Sequence, residues 1–309
     1  MRASRFPLVA VLAVGFVAAC STAEPRPEGP PDIDVKRVAE HLERFDDIAE
    51  YNDGNRAAGT SGYAESAEYL ATELEEAGFD VERQACEDCT DPEDVNVIAE
   101  WGSKAKGDTV MFGAHLDSVA EGPGINDNGS GSAVLLEVAL RLADTDPDMS
   151  APVRFAWWAE EEAGMIGSAY YVDNTYTTDL AVYYNLDMVA STNTGYFVTH
   201  MDTKYGKAYA DYLDSVGVKA EAAEANCDCS DDQPFADDDV STVYVNTGDE
   251  VEMTSAQAKR WDGEAGEVFD PCYHAACDEY PDNIDTDALN HNADATAHVL
   301  WAFAATAKP

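Results

Sequence analysis

Several acids and a histidine stand in this chain where metal and acid–base chemistry would need them. The run VMFGAHLDSV ends its apolar part at His115 and Asp117, and GPGINDNGSGSA carries Asp127 between glycines. VRFAWW is followed at once by Glu160, Glu161 and Glu162, and VYYNLD closes on Asp187. Imidazole and carboxylate donors together suit zinc. In an extended chain residues two apart point the same way, so His115 and Asp117 can work as a pair, one binding an ion and the other orienting it. Asp127, beside Gly124, Gly129 and Gly131, has a backbone free to approach an ion closely. Any one acid among 61 Asp and Glu is ordinarily a solvated charge. Recurrence argues otherwise: four times, a ligand-type side chain stands at the end of an apolar run or in the loop that follows one.

Bringing such residues to one edge requires a particular scaffold. Apolar positions at helical spacing predict amphipathic helices over residues 34–50 and 62–77, the second stopped by Gly78 as a C-cap. Short, apolar, β-rich runs follow at 95–101, 109–114, 153–158, 180–186 and 240–245. Helical stretches separate most of them, notably 132–143 and 164–172, and a last helix over 294–307 should pack Ala297, Leu300, Trp301 and Ala304 on the sheet. Such alternation predicts an α/β domain with a largely parallel sheet covered by helices on both faces. Its ligand site belongs beyond the carboxyl ends of the strands. Low complexity is confined to an N-terminal proline-rich segment and to acidic loops such as 230–239.

Charge and cysteines narrow the setting. With 61 Asp and Glu against 18 Lys and Arg, the net charge of −43 repels nucleic acid and anionic membranes. Salt would screen that self-repulsion, with a Debye length of ~3 Å at 1 M, which points to a halophilic host. Arg2 and Arg5 precede an apolar stretch of about twelve residues, too short to span a membrane, so residues 1–19 read as a signal peptide. VAACS resembles a lipobox with Cys20 as the lipidated residue; the alternative is a plain small-residue cleavage site with Cys20 there by chance. Residues 20–31 form a proline-stiffened tether, and 32–309 a single catalytic domain, extracellular or on the cell surface. Membrane contact is expected only through a lipid anchor at Cys20. An even set of six further cysteines argues for disulfides. Cys86, Cys89, Cys227 and Cys229 could instead hold zinc, although their spacing is not that of a common zinc finger, and their pairing stays open.

Taken in order, GAHLDSV, GPGINDNGSGSA, FAWWAEEEAGMIGS, YYNLDMVAS and CYHAACD resemble the secreted bacterial di-zinc aminopeptidases, a likeness that runs over about residues 32–307. It implies a three-layer αβα fold of the zinc exopeptidase type around a central, mostly parallel mixed sheet. Two zinc ions are implied, bridged by Asp127. His115 and Asp187 would complete one site, Glu162 and His274 the other. The family spacing of Glu-Glu, one residue, Gly, two residues, Gly-Ser sets the pair at Glu161 and Glu162. Glu161 then resembles the general base, with Asp117 supporting His115, while Glu160 holds a position that needs no acid and reads as surface charge. Tyr273 resembles an oxyanion donor, and a Cys272–Cys277 bridge would fix Tyr273 and His274.

Asp32, the Ile33 carbonyl and Asp294 resemble calcium ligands, with Asn290 where the family has Asp. Departures fall around specificity: CSDDQPF places Asp232 where the family has His and Cys229 where it has Arg, and Asn246 replaces an aromatic. The implied activity is a monomeric zinc-dependent aminopeptidase acting on peptides with a free N-terminus. Its rivals are a glutaminyl cyclase with one zinc, a carboxypeptidase of the same fold, which would need an Arg not seen near the motifs, and a non-catalytic acidic lipoprotein that binds cations or peptides.

Overall fold

The runs TVMFGAH, VRFAWW and LAVYYNL are buried on both faces almost throughout, the pattern of strands covered above and below by helices. The computed structural model describes residues 29–223 and 230–306; the signal segment, Cys20, Cys227 and Cys229 lie outside the described residues. In chain order the elements are α1 (Val35–Tyr51), α2 (Ser61–Ala77), β1 (Asp80–Ala85), β2 (Val95–Trp101) and β3 (Thr109–His115). Next come α3 (Gly131–Thr145), β4 (Asp148–Met149), β5 (Val153–Trp158), α4 (Ile166–Asn174), β6 (Leu180–Leu186) and β7 (Phe197–Val198). Then α5 (Lys204–Ser215), β8 (Glu221–Ala222), α6 (Asp232–Asp237), β9 (Thr242–Asn246), α7 (Ser255–Trp261), α8 (Thr286–Ala304) and β10 (Ala305–Thr306) complete the chain.

Eight strands form one mixed sheet in the order β1-β2-β5-β3-β6-β9-β7-β8. The central four, β5, β3, β6 and β9, are parallel, whereas β2 joins β1 and β5 antiparallel and β7 joins β9 antiparallel. Strand alternation divides the core. Phe155, Phe112 and Tyr184 stack in that order, with ring centroids 5.7 and 5.1 Å apart, on the face covered by α1, α2, α3 and α8. Met111, Trp158 and Tyr183 face the other way, onto Tyr171 of α4 and Phe235 of α6. This is the three-layer α/β class that the sequence implies.

Where expectation and structure differ, polar residues are the cause. The last helix begins at Thr286, not 294, because Asp285 caps it by accepting the N–H groups of Asp287 and Ala288 at 2.9 and 3.0 Å, and Asn292 turns inward to the Val189 carbonyl at 3.0 Å. The acidic stretch 230–239 holds helix α6, whose Phe235 is buried. β1, the polar run DVERQA, is an exposed edge strand that pairs with β2 on one side only. Asp294 accepts the N–H of Ile33 at 2.7 Å and the side-chain amide of Asn290 at 3.3 Å, so the segments expected to share calcium meet through direct hydrogen bonds. Cys86 is bonded to Cys89 and Cys272 to Cys277. No helix among the described residues is long and apolar enough to cross a membrane.

Phe112→Ala would remove the middle ring of the stack and leave a cavity between two layers, with an expected cost of about 3–5 kcal/mol. Denaturant unfolding of the variant against the parent measures it. A loss under about 1 kcal/mol would contradict the central place given to this strand.

Candidate metal centre

Parallel strands deliver their carboxyl ends to one edge, and the ligand-type side chains meet there. Gly113 pairs with Asn185 across β3 and β6, so His115 and Asp187 leave the sheet as neighbours. Nε2 of His115 lies 3.3 Å from Oδ1 of Asp187 and 3.2 Å from Oδ1 of Asp127. The other oxygen of Asp127 lies 3.2 Å from Nε2 of His274, which stands 3.0 Å from Oε2 of Glu162. One buried carboxylate thus stands between two donor sets. Oε2 of Glu161 is 4.0 Å from Nε2 of His115.

Each of these groups is held by its surroundings. Asp127 sits in a wide helical turn, Ile125–Ser130, that interrupts regular geometry before α3 and contains a cis Asp127–Asn128 peptide bond. Gly124 starts this turn at φ 63°, and a Cβ there would lie 2.4 Å from the Asp127 carbonyl, so the glycine serves the closeness of the turn on itself. Asp278 accepts the N–H groups of Asn126 and Asp127 at 2.7 and 3.0 Å. Fully buried Arg56 donates to the carbonyls of Leu116, Pro123 and Gly124, which ties together the chain between His115 and Asp127.

The glutamate turn is held as closely. A Cβ at Gly167 would lie 2.3 Å from the Ala159 carbonyl and 2.4 Å from Oδ1 of Asn96, so only glycine closes the loop back onto the end of β5. The carboxylate of Asp117 accepts the N–H groups of Glu161 and Glu162 at 3.1 and 3.3 Å. Nδ1 of His115 meets the Asp117 backbone carbonyl at 3.1 Å, with the carboxylate at 3.6 Å. Asp117 therefore joins two strand ends more directly than it orients the imidazole. Ser230 donates to Oδ2 of Asp187 at 2.7 Å and receives the amide of Asn185 at 2.8 Å, which in turn accepts from Tyr183 at 2.9 Å.

Sequence reasoning gave no role to Arg56, Asp278, Ser230 or Asp231. A single Arg in NRAAGTSG, and single acids among many, carry no local signal. Glu160 requires a correction: it is 2% exposed and accepts backbone N–H groups from Thr90 and Asp91, so it is not a surface charge. Tyr273 stacks on His274 with centroids 3.9 Å apart, next to the Cys272–Cys277 bridge, and Asp232 begins α6.

The electrostatics call for a cation. Burial pushes the carboxyls of Glu161 and Glu162 up, and Asp231 is raised to about 8 by burial and by the fields of Asp187 and Asp117. Burial would also raise Asp127, but hydrogen bonds to both histidines outweigh it and hold it at about 2. His274 is raised to about 10 by its bonds to Asp127 and Glu162. Oε1 of Glu162 is buried with no hydrogen-bond partner in the structure, and uncompensated buried charge of this kind is costly. His115, Asp127 and Glu162 each offer a ligand atom within 4.8 Å of the others. These donors fit divalent metal binding. Beside them opens a cavity of about 470 Å³, whose walls include Met188, Phe197, Val251, Phe269, Asn246 and Asp249.

A buried carboxylate between two histidine-containing sets, at the carboxyl edge of an open α/β sheet, is an arrangement that suits a divalent metal centre. The model of peptidase family M28 matches residues 96–300, and the chain belongs to that family. Leupeptin-inactivating enzyme 1 of Streptomyces exfoliatus is 39% identical over 279 residues, which cover 89% of this chain and 63% of that protein. An aminopeptidase of Pseudomonas aeruginosa is 40% identical over 222 residues, 67% of this chain and 41% of the relative. A probable lipoprotein aminopeptidase, LpqL, of Mycobacterium tuberculosis is 38% identical over 229 residues, 68% and 45% of the two chains. The chain thus spans from about two fifths to under two thirds of the length of these relatives. Among solved structures, BSAP, a zinc aminopeptidase from Bacillus subtilis, shares the fold with a TM-score of 0.72 at 17% identity, covering 91% of this chain and 97% of its own.

Metal uptake here must release protons. Burial opposes the charged form of His115, but Asp187, Glu161 and the bonds to Asp117 and Asp127 outweigh it and push its pKa up, while His274, raised to about 10, is protonated at neutral pH before an ion arrives. Metals bind the neutral ring. Apparent affinity should therefore rise with pH, by more than about tenfold between pH ~6 and pH ~8. Competition against a chelator of known affinity measures this; a flat profile would contradict the protonated resting state.

Proposed function

We propose that the chain is an exported zinc-dependent aminopeptidase that removes the first residue of peptides. The observation that carries this reading is Asp127, whose two oxygens face different histidines and divide the donors into a His115–Asp187 set and a His274–Glu162 set. Nitrogen and carboxylate oxygen donors in such sets suit two zinc ions. Bound zinc would supply Lewis acidity, polarising the scissile carbonyl and lowering the pKa of a water from about 15.7 toward about 7.

The protein's own groups handle protons and orientation. Glu161 lines the cavity without lying within hydrogen-bond distance of His115, and burial makes it a stronger base than an exposed glutamate. It takes the proton of the attacking water and returns it to the leaving amine. Tyr273 lines the same cavity, and its raised pKa keeps the phenol protonated to donate to the developing oxyanion. The ammonium of a free N-terminus is received by the acids of the cavity floor, Glu161 and Asp187 among them. Among the described residues no lysine or arginine lines the cavity to hold a C-terminal carboxylate, which disfavours a carboxypeptidase. Export and a lipid anchor at Cys20 complete the proposal, supported by the lipobox-like VAACS and by the relative named a probable lipoprotein aminopeptidase.

Glu161→Gln should lower kcat by about 10²- to 10⁴-fold while zinc content stays near that of the parent. Steady-state kinetics with metal analysis of the same samples tests this, and a variant of parental kcat would remove Glu161 from the role of base. Aminoacyl amides should be cleaved and their N-acetyl counterparts left intact, with two zinc ions per chain and activity lost to a chelator. One tightly bound ion would favour the glutaminyl cyclase reading; no cleavage of any free-amino substrate in zinc, at high or low salt, would overturn the aminopeptidase reading.

A further inference from the structure

Glu160 sits beside two glutamates that face the cavity, yet it does not line it. Its backbone is left-handed, at φ 52°, a conformation that costs a non-glycine residue energy and persists where surrounding contacts hold it. The carboxylate is buried and its hydrogen-bond partners are backbone amides: Thr90 N–H lies 2.8 and 2.9 Å from its two oxygens and Asp91 N–H lies 3.2 Å from one. Successive N–H groups turned toward one anion form a concave receptor, which depends on the loop that presents them.

Directly before those amides the chain is bridged by the Cys86–Cys89 disulfide, with both cysteines buried. Cys89 N–H also bonds to the Cys86 carbonyl at 3.1 Å, Asp94 N–H to the Asp91 carbonyl at 3.1 Å, and Gly59 N–H to Oδ2 of Asp94 at 2.7 Å. On the other side, Ile166 N–H bonds to the Glu160 carbonyl at 3.1 Å, and Gly164 and Met165 N–H groups bond to the Glu161 carbonyl at 2.7 and 2.8 Å. The turn that carries Glu161 and Glu162 is thus fastened at Asn96, at Asp117 and, through Glu160, at the disulfide loop.

We propose that Glu160 is a positioning residue for Glu161 and Glu162, and that the Cys86–Cys89 loop acts on the metal centre through it. A third glutamate adds negative charge to an acidic site, so its use here is geometric: an acceptor locked to a rigid loop holds the neighbouring pair at the cavity. The inference rests on the metal-centre reading above. Partners that orient ligands typically account for about 10- to 100-fold in metal affinity or activity.

The test measures zinc affinity by chelator competition, kcat and KM separately, and amide hydrogen exchange in the zinc-loaded protein, for Glu160→Ala, Glu160→Gln, the double variant Cys86→Ser/Cys89→Ser and their combinations. Expected are a loss of about 10- to 100-fold in zinc affinity or kcat for Glu160→Ala with KM little changed, and faster exchange at Thr90 and Asp91. Glu160→Gln, which keeps one acceptor oxygen, should recover most of the loss. The cysteine variant should lose in the same direction, and adding it to Glu160→Ala should cost little more, because both break one linkage. Parental affinity and kcat in Glu160→Ala, or losses that multiply in the combination, would overturn the inference. If Glu160→Ala does not fold, Glu160→Gln and the cysteine variant decide it, and parental behaviour in the cysteine variant overturns it. A parent that neither binds zinc nor hydrolyses a free-amino substrate would instead defeat the reading on which the inference rests.

Discussion

The structure depends on keeping one carboxylate, that of Asp127, between two imidazoles in a setting already crowded with acid. Like charges gathered out of water repel, and the strength of that repulsion grows as the local dielectric falls. Nothing in the local chain prefers such an arrangement. It exists because larger pieces of the fold are fastened around it. Arg56 is the clearest case: a wholly buried cation, lowered to about 10 by burial despite the neighbouring Asp278, Asp117 and Asp127, that spends its donors on three main-chain carbonyls. Its charge offsets the acids while its fork fixes the chain between His115 and Asp127.

The same logic recurs at every ligand. Asp187 leans on Ser230, which leans on Asn185 and Tyr183 at the far face of the sheet. Asn283 donates to both Asp270 and Asp278, which in turn hold the backbone of Cys272 and of Asp127, so the loop bearing His274 and the turn bearing Asp127 share one polar anchor. Parallel strands bring the groups to one edge. Hydrogen bonds between strand ends then set their spacing, which topology alone leaves loose.

How much of this was legible in the sequence follows from where the information lies. Runs buried on both faces announce themselves, and three strands begin and end at the residues where their apolar runs do: Val95–Trp101, Val153–Trp158 and Leu180–Leu186. β1 was not legible, since an edge strand with one partner and solvent elsewhere tolerates DVERQA. The first two turns of α8 were hidden because Asn292 is polar in composition but inward in fact, satisfied by the Val189 carbonyl from another segment and by the Ala288 carbonyl one turn back in its own helix. At the site, donors could be named because ligand types recur just past apolar strands. Their supports could not, because Arg56 meets its acceptors about sixty residues further along the chain and Asp278 meets Asp127 across about 150.

Glu160, Glu161 and Glu162 show the limit most sharply, since composition cannot separate three identical residues in a row. Their differences come from the backbone between Ala159 and Gly167. A left-handed residue at 160 directs the first carboxylate to the amides of Thr90 and Asp91, while Asp117 takes the N–H groups of the next two and leaves their side chains at the cavity. The first glutamate is consequently an anion already satisfied by protein, and the third retains a buried oxygen that no protein donor reaches. A chain with so many acids makes any single one look interchangeable. The number of hydrogen-bond donors that the fold brings to each carboxylate decides whether it serves as structure or stays open to a cation.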